Sequence, residues 1–381
     1  MVSPSTLSLT LTLGSAQTLA WASSYYLPAI LAVPMARELG VSPSWVFAAF
    51  SGALLITAIL GPSVGKAIDR RGGRGILLAS NVVLALGLAL LAMAESLVGL
   101  VLAWAVTGMG MALGLYDAAF ATLSRLLGSA ARGPITGVTL IAGFASTVGW
   151  PLSAWLESDL GWRGACWIWA SLHLVLGVPL NARLPIAGAE PVASLDSASQ
   201  GAPQRPRQAM LLLAYVFAAG WFVSTAMAAH LPRLLQEAGA SLSVAVAAAA
   251  LVGPAQVGAR LAEFILLRRF HPLVSARVAT ALHPLGAALL TLMGMPAAGF
   301  ALLHGAGNGM MTIASGTLPL ALFGPQGFGR RQGLIIAPAR VAQACAPLAF
   351  GLLLDHAGTL ALWLSSALMA GALVALLSIR R

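Results

Sequence analysis

The chain has 381 residues, of which 59% are hydrophobic and only 8% charged, with a formal net charge of +10. Too few polar residues exist to face water on all sides, which excludes a soluble globular protein and makes lipid the solvent for most of the chain. Two cysteines, Cys166 and Cys345, both inside apolar stretches, argue against a disulfide framework or a cysteine metal centre.

A helix crosses the hydrocarbon layer in about 20 apolar residues, and every backbone hydrogen bond must close within the segment, so helices rather than strands are expected. Twelve such windows occur in order, at 7–33, 44–66, 75–94, 98–124, 134–156, 164–182, 209–231, 243–265, 275–294, 298–322, 334–354 and 360–378. The first has no basic segment before it and exceeds the length of a signal peptide, so it is expected to be retained. It carries Gln17, Trp21, Ser24 and Tyr25 at helical spacing, with Tyr26 and Pro28 nearby. These are candidates for a cavity wall, with ordinary packing as the competing role. The second ends in Gly65 to Arg74, GKAIDRRGGR, a cluster of five charges before the next apolar run. The fourth holds Gly108-Met109-Gly110 and Asp117, and the fifth Gly143, Gly149 and Pro151.

Residues 183–208, with four prolines and many Ser, Ala and Gly, are too polar and broken to span and read as a flexible linker. The expected organisation is therefore a first six-helix half over 1–182, the linker over 183–208 and a second half over 209–381. In the seventh window Tyr215, Trp221, Ser224 and Thr225 could line a cavity; in the tenth, His304 and Asn308 stand four apart. His173 and His230 read as packing residues.

Between the windows, sixteen basic residues fall on one side and only Arg37, Arg163 and Arg233 on the other. That bias places the first side, and both termini, in the cytoplasm. The positive charge thus reports topology, and nucleic acid is not an expected partner.

Ionisable groups in mid-span cost about 2.5 to 3.5 kcal/mol each on the insertion scale and call for a function. Arg260 lies eight residues from Arg268, Arg340 nine from Arg331 and Asp117 eight from Arg125. At about 1.5 Å per residue all three sit about 12 to 14 Å above the cytoplasmic charges, near the midplane. Two guanidinium groups facing one cavity would form a fork for a carboxylate or another oxyanion. Gln256, four before Arg260, and Gln343, three after Arg340, could share their faces. Alternatively, Arg260 pairs with Glu263 and Arg340 neutralises Asp117. Asp117 is either a proton carrier or a fixed counter-ion. Asp69, at the end of the second window, could cap the positive end of the eleventh helix, while Arg70 and Arg74 bind acidic groups or lipid phosphates.

The chain also resembles itself. An offset of 196 aligns Gly137 with Gly333, Pro151 with Pro347 and Asp159 with Asp355. An offset of 197 brings Gly108 and Gly110 onto Gly305 and Gly307. Gly61-Pro62 has a counterpart in Gly253-Pro254, and Lys66-x-x-Asp69 in Arg260-x-x-Glu263. Two halves of six helices are the simplest account.

Gly65, Asp69, Arg70, Gly72 and Arg74 fill the signature loop between helices two and three of the major facilitator superfamily of membrane transporters, which the chain resembles along nearly its whole length. Glu38-Leu39-Gly40-Val41-Ser42, Gly108-Met109-Gly110 and Gly161-Trp162-Arg163 are similar to pieces of its monocarboxylate and oxalate/formate branch. Arg260 and Arg340 resemble the basic residues which that branch sets around its anionic substrate. The resemblance implies an all-α integral membrane fold of twelve helices and a transporter of the bacterial cytoplasmic membrane working by alternating access, with Gly65, Asp69, Arg70, Gly72, Arg74 and Glu263 as its gate. A small-molecule substrate and a coupling ion such as the proton are the expected partners, with membrane lipids around a monomer and no cofactor. Trp104 stands where many proton-coupled members carry an arginine, so coupling through that group is not expected.

No H-E-x-x-H, C-x-x-C or G-x-S-x-G occurs, and Gly61 to Lys66 is one residue short of a phosphate loop, with Ala67 in place of its Ser or Thr. An enzyme is therefore not expected. Export of drug-like or aromatic compounds and a non-transporting membrane sensor remain as alternatives.

Overall fold

A computed structural model describes residues 6–186, 205–266 and 269–379. Most of the expected linker over 183–208, together with Arg268, Arg380 and Arg381, lies outside the described residues. The chain divides into two compact units, Met1–Ser197 with Pro325–Ala337, and Ala198–Gly324 with Pro338–Arg381.

The first unit opens with α1 (Thr6–Ser23) and α2 (Pro28–Glu38), which share the first expected span. The chain breaks between them because Pro28 has no N–H to continue a helix and is suited to begin one. α3 (Pro43–Arg71) has 29 residues, about 43 Å at the α-helical rise, enough to cross a bilayer and extend past it. Gly72, at φ 79°, ends it in a conformation that a side chain would strain. α4 (Arg74–Ala92) and α5 (Leu97–Gly114) follow, the latter capped by Ser96, whose hydroxyl accepts from Gly99 N.

The fourth expected span is not continuous. Leu115 is extended, and a separate helix, α6 (Tyr116–Leu127), begins after it. α7 (Arg132–Ala142) stops at Gly143, and α8 (Ala145–Leu172) turns sharply at Gly161, at φ 70° and ψ 170°, which separates the fifth pass from the sixth. A π-turn, His173–Gly177, and α9 (Val178–Ala182) complete the unit.

The second unit contains α10 (Pro206–Glu237), α11 (Leu242–Ala250), α12 (Val252–Leu266), α13 (Pro272–Met293) and α14 (Ala297–Phe323). It continues with α15 (Phe328–Ala357), whose first ten residues belong to the first unit, and α16 (Leu360–Ser378). Among the described residues there is no strand, and nine helical stretches are long and apolar enough to cross a membrane. One of them, Leu97–Ala182, takes in the fourth to sixth passes. α14 has the length of a span, but its Gly, Ser, Thr, Asn and His residues leave it outside those nine.

Both units pack by the same scheme. In the first, α5 lies against α3 and α4, and α4 against α8; in the second, α14 lies against α12 and α13, and α13 against α16. The aligned glycines make the matching contacts. A methyl added to Gly108 would meet Ala53 O of α3 at 2.6 Å, and one added to Gly305 would meet Val252 O of α12 at 2.7 Å. Likewise Gly110 abuts Leu84 of α4, and Gly307 abuts Ala279 of α13. The duplication is thus a repeat of packing as well as of sequence, with small residues allowing close approach where lipid offers no hydrophobic drive between helices.

Candidate functional site

The signature loop is organised by backbone proximity. Asp69 accepts hydrogen bonds from Gly329 N at 2.8 Å and Arg330 N at 2.9 Å, at the start of α15, where four N–H groups have no helical partner. These residues belong to the same compact unit. The approach requires glycine on both sides, since a Cβ on Gly65 would overlap the Gly329 carbonyl and one on Gly333 would lie 2.5 Å from Pro62 Cα. Arg125, buried at the end of α6, donates from Nε to Asp69 O at 3.2 Å. Gly72 is buried behind the loop, Arg74 is half-buried, and Arg70 is exposed and makes no ion pair among the described residues.

Asp117 stands in the first turn of α6 because of the break at Leu115, where the helix dipole favours a carboxylate. Gln332 Nε2 donates to its Oδ1 at 3.3 Å. The glutamine follows the glycine-rich start of α15 and was not distinguishable from a surface residue in the sequence.

Arg260 and Arg340 are both buried in the second unit, at 6% and 5% exposure. Arg260 donates to Thr312 Oγ1 of α14 at 3.4 Å. Arg340 donates to Gln343 Oε1 at 2.9 Å, and Gln343 reaches Thr225 Oγ1 of α10 at 3.5 Å. The expected Gln343 partnership is present, while Gln256 contributes its backbone, packed against Gly309. Glu263 is buried in α12 and accepts from Ser275 of α13 at 3.2 Å.

Gln17, Trp21 and Tyr25 belong to a polar and aromatic group in the first unit. Gln17 Nε2 donates to Gly114 O, next to the break in the fourth span, while its Oε1 and Trp21 Nε1 are buried without hydrogen-bond partners among the described residues. Trp21 packs against Tyr25 at 5.0 Å and Tyr116 at 4.8 Å between ring centroids, and Tyr26, Phe50, Trp104 and Trp150 extend the group. Tyr116 is brought in by the start of α6, a partner that residue spacing did not signal.

One histidine follows the expectation and another does not. His173 packs as a core residue, with Nδ1 against Asn81 Oδ1 at 2.8 Å and Nε2 against Ser23 Oγ at 2.7 Å. His304 pairs with His283 of α13, Nδ1 to Nδ1 at 3.0 Å, and not with Asn308. Periodicity offered no signal for His283, in a helix that is mostly apolar.

Each unit carries an ion-paired clasp of its own. Glu38 of α2 accepts from Trp162 Nε1 and from Arg163 Nε at 2.8 Å, and Arg163 also donates to Ala92 O and lies over the Trp162 ring. Those bonds hold Glu38 below its ordinary pKa, the Arg163 bond contributing most and Trp162 next. In the second unit Arg233 of α10 pairs with Asp355 at 2.7 Å and Glu237 at 3.1 Å.

Residues 13–311, more than half of the chain, match the family model of the Major Facilitator Superfamily. No curated protein sequence matches. Among solved structures, the human organic anion transporter MFSD10 (TETRAN) superposes with a TM-score of 0.71 at 15% identity, covering 98% of this chain and 100% of that one. FucP, the E. coli fucose:proton symporter, gives in its outward conformation 0.77 at 13% identity, covering 98% of each chain. The proton:xylose symporter XylE bound to 6-bromo-6-deoxy-D-glucose gives 0.67 at 14% identity, covering 97% and 94%. Identities this low carry the fold and leave the cargo open. On the family match, the repeated six-helix packing and the glycine-lined signature loop, the chain belongs to the Major Facilitator Superfamily of membrane transporters.

Proposed function

We propose that the chain is a secondary transporter working by alternating access on a small organic anion such as a carboxylate, bound by Arg260 and Arg340. The observation that carries this reading is the burial of two guanidinium groups, at 6% and 5% exposure, within one apolar unit. Guanidinium does not give up its proton in proteins, so a charge at this depth favours an anion entering beside it. Thr312 and the Gln343–Thr225 pair orient the two groups. MFSD10, which shares this fold, is an organic anion transporter, and the motif likeness to the monocarboxylate and oxalate/formate branch points the same way.

In this reading the Asp69 cap, Gly65, Gly72, Arg70 and Arg74 form the cytoplasmic gate, with Glu263 as its counterpart in the second unit. Asp117 is a fixed counter-charge, since it accepts from Gln332 and sits at a helix N-terminus. The sixteen-to-three distribution of basic residues supports a cytoplasmic membrane orientation with both termini inside.

The test is a thermal-shift screen of the purified protein against carboxylates, aromatic acids, sugars and inorganic oxyanions. A ligand at about 100 times its Kd stabilises by about 2.7 kcal/mol. An organic anion should stabilise the wild type and lose that effect in Arg260→Ala and Arg340→Ala, and only in part in the lysine variants. Undiminished stabilisation of both alanine variants would sink the anion reading. The aromatic group around Trp21, with the unpartnered Trp21 Nε1 and Gln17 Oε1, favours a second reading, carriage of an aromatic compound. A neutral aromatic ligand lost in Trp21→Ala and kept in both arginine variants would select it.

A further inference from the structure

We propose that the His283–His304 pair is the exchangeable-proton site of this carrier, taking up one proton from a small recess in the second unit. As a coupling site it rests on the transport reading above.

The pair is closed on one side and open on the other. His283 Nε2 lies 3.0 Å from Ser365 Oγ of α16, and its Nδ1 lies 3.0 Å from His304 Nδ1. One of two facing Nδ1 atoms must donate and the other accept, so a single proton is shared between the rings. The Ser365 hydroxyl donates to Leu362 O at 2.8 Å, which leaves its oxygen to accept from His283 Nε2–H. His283 Nδ1 then accepts from His304 Nδ1–H. In the neutral pair this leaves His304 Nε2 as a bare lone pair, and among the described residues His304 makes no other hydrogen bond.

Both rings line a recess with room for about one water molecule. Ser224 of α10 and Asn308 of α14 supply polar groups to its wall, beside Gly220, Gly307 and Met311. A hydronium arriving there forms an N–H bond at His304 Nε2 and leaves as water. The charge is then spread over two rings joined by one hydrogen bond, and Asn308 and the water can accept from the new N–H. His173 offers a contrast, because Asn81 and Ser23 occupy both of its ring nitrogens.

On α10, Arg207 is exposed, His230 meets Pro347 O at 2.8 Å, and Arg233 pairs with Glu237 and Asp355. On α12, Arg260 bonds Thr312, eight residues or about 12 Å along α14 from His304, and Glu263 bonds Ser275. Arg277 of α13 donates to Leu376 O, and Tyr215 of α10 to Leu368 O. α16 carries no ionisable side chain.

The test is nitrogen NMR of the full chain, labelled with 15N-histidine and held in lipid nanodiscs, over about pH 9 to 5. His283→Gln and His304→Gln assign the signals, and the wild-type spectrum alone decides the question if either variant fails to insert. The expected result is a pair of rings that titrate together and take up one proton between them, while His173 keeps a constant signal. Two rings that stay neutral to about pH 5, or that each take up a proton, would overturn the proposal. So would a wild-type titration that persists in His304→Gln. The titration uses no substrate, so a failed ligand screen sinks the anion reading alone and a silent pair sinks this one alone.

Discussion

Replacing Gly65 with alanine sets two calculable effects against each other. Within a helix the exchange gains about 1 kcal/mol, because alanine has less backbone freedom to lose. At Gly65, however, the new Cβ would overlap the Gly329 carbonyl and lie 2.9 Å from Arg330 N. Those are backbone atoms and cannot swing aside as a side chain would. Relief requires the start of α15 to retreat, which lengthens both bonds from Asp69 to Gly329 N and Arg330 N. Loss of an aspartate cap costs up to about 2 kcal/mol, and up to about 1 kcal/mol of favourable dipole interaction is lost with it. The net expectation is a destabilisation of about 1 to 2 kcal/mol. Gly52, on the same helix, is the control, since its added methyl meets nothing within 4 Å and should retain the helix gain. Thermal melting in detergent should rank Gly52→Ala above Gly65→Ala by about 2 to 3 kcal/mol, with faster hydrogen exchange at the 329 and 330 amides only in the latter. A Gly65→Ala protein that melts at or above the wild type with those amides still protected would refute the close approach.

Asp69→Asn should accelerate the same two amides with little change at Gly65, because an amide oxygen satisfies one N–H where the carboxylate satisfies two. Gly108→Ala and Gly305→Ala should each lower the melting temperature, and Gly52→Ala, with nothing within 4 Å of the added methyl, should not. Equal melting of all three would contradict the repeated packing. The Glu38 clasp should be acid-sensitive in one direction. Its carboxyl titrates below the ordinary 4.5 when folded, so the unfolded chain binds the proton first and the clasp's stability is present above that value. It is lost as pH falls through the lowered folded value. Because Glu38 is half exposed, the effect is below about 1 kcal/mol. The melting difference between wild type and Glu38→Gln should shrink from about pH 6 to the acid limit, and a difference that grows would reverse the assignment.

Much of the architecture was legible because lipid imposes simple demands. Apolar windows located the passes, and Gly108, Gly110, Gly305 and Gly307 marked close packing before any coordinates. The breaks were harder. Leu115 interrupts the fourth pass although it is neither proline nor glycine, and only the start of a new helix explains why Asp117 sits in a first turn. Residues whose meaning lies in a partner far along the chain were also hidden. Gln332 acquires a role from Asp117 and Arg125 from Asp69, and His283 from a ring on the next helix. Glu38 and Trp162-Arg163 were visible only as family-like motifs, and their geometry turns them into one clasp.

The two clasps are built with opposite polarity. In the first unit the acid, Glu38, is on the opening pass and the base, Arg163, follows the fifth. In the second the base, Arg233, is on the opening pass and the acid, Asp355, closes the eleventh helix. A chain that carried two copies of either opening pass would bring like charges together at one of the two sites. The opening passes of the two halves are therefore not interchangeable parts. The repeat fixes where two passes meet, and each half fastens that place with its own chemistry.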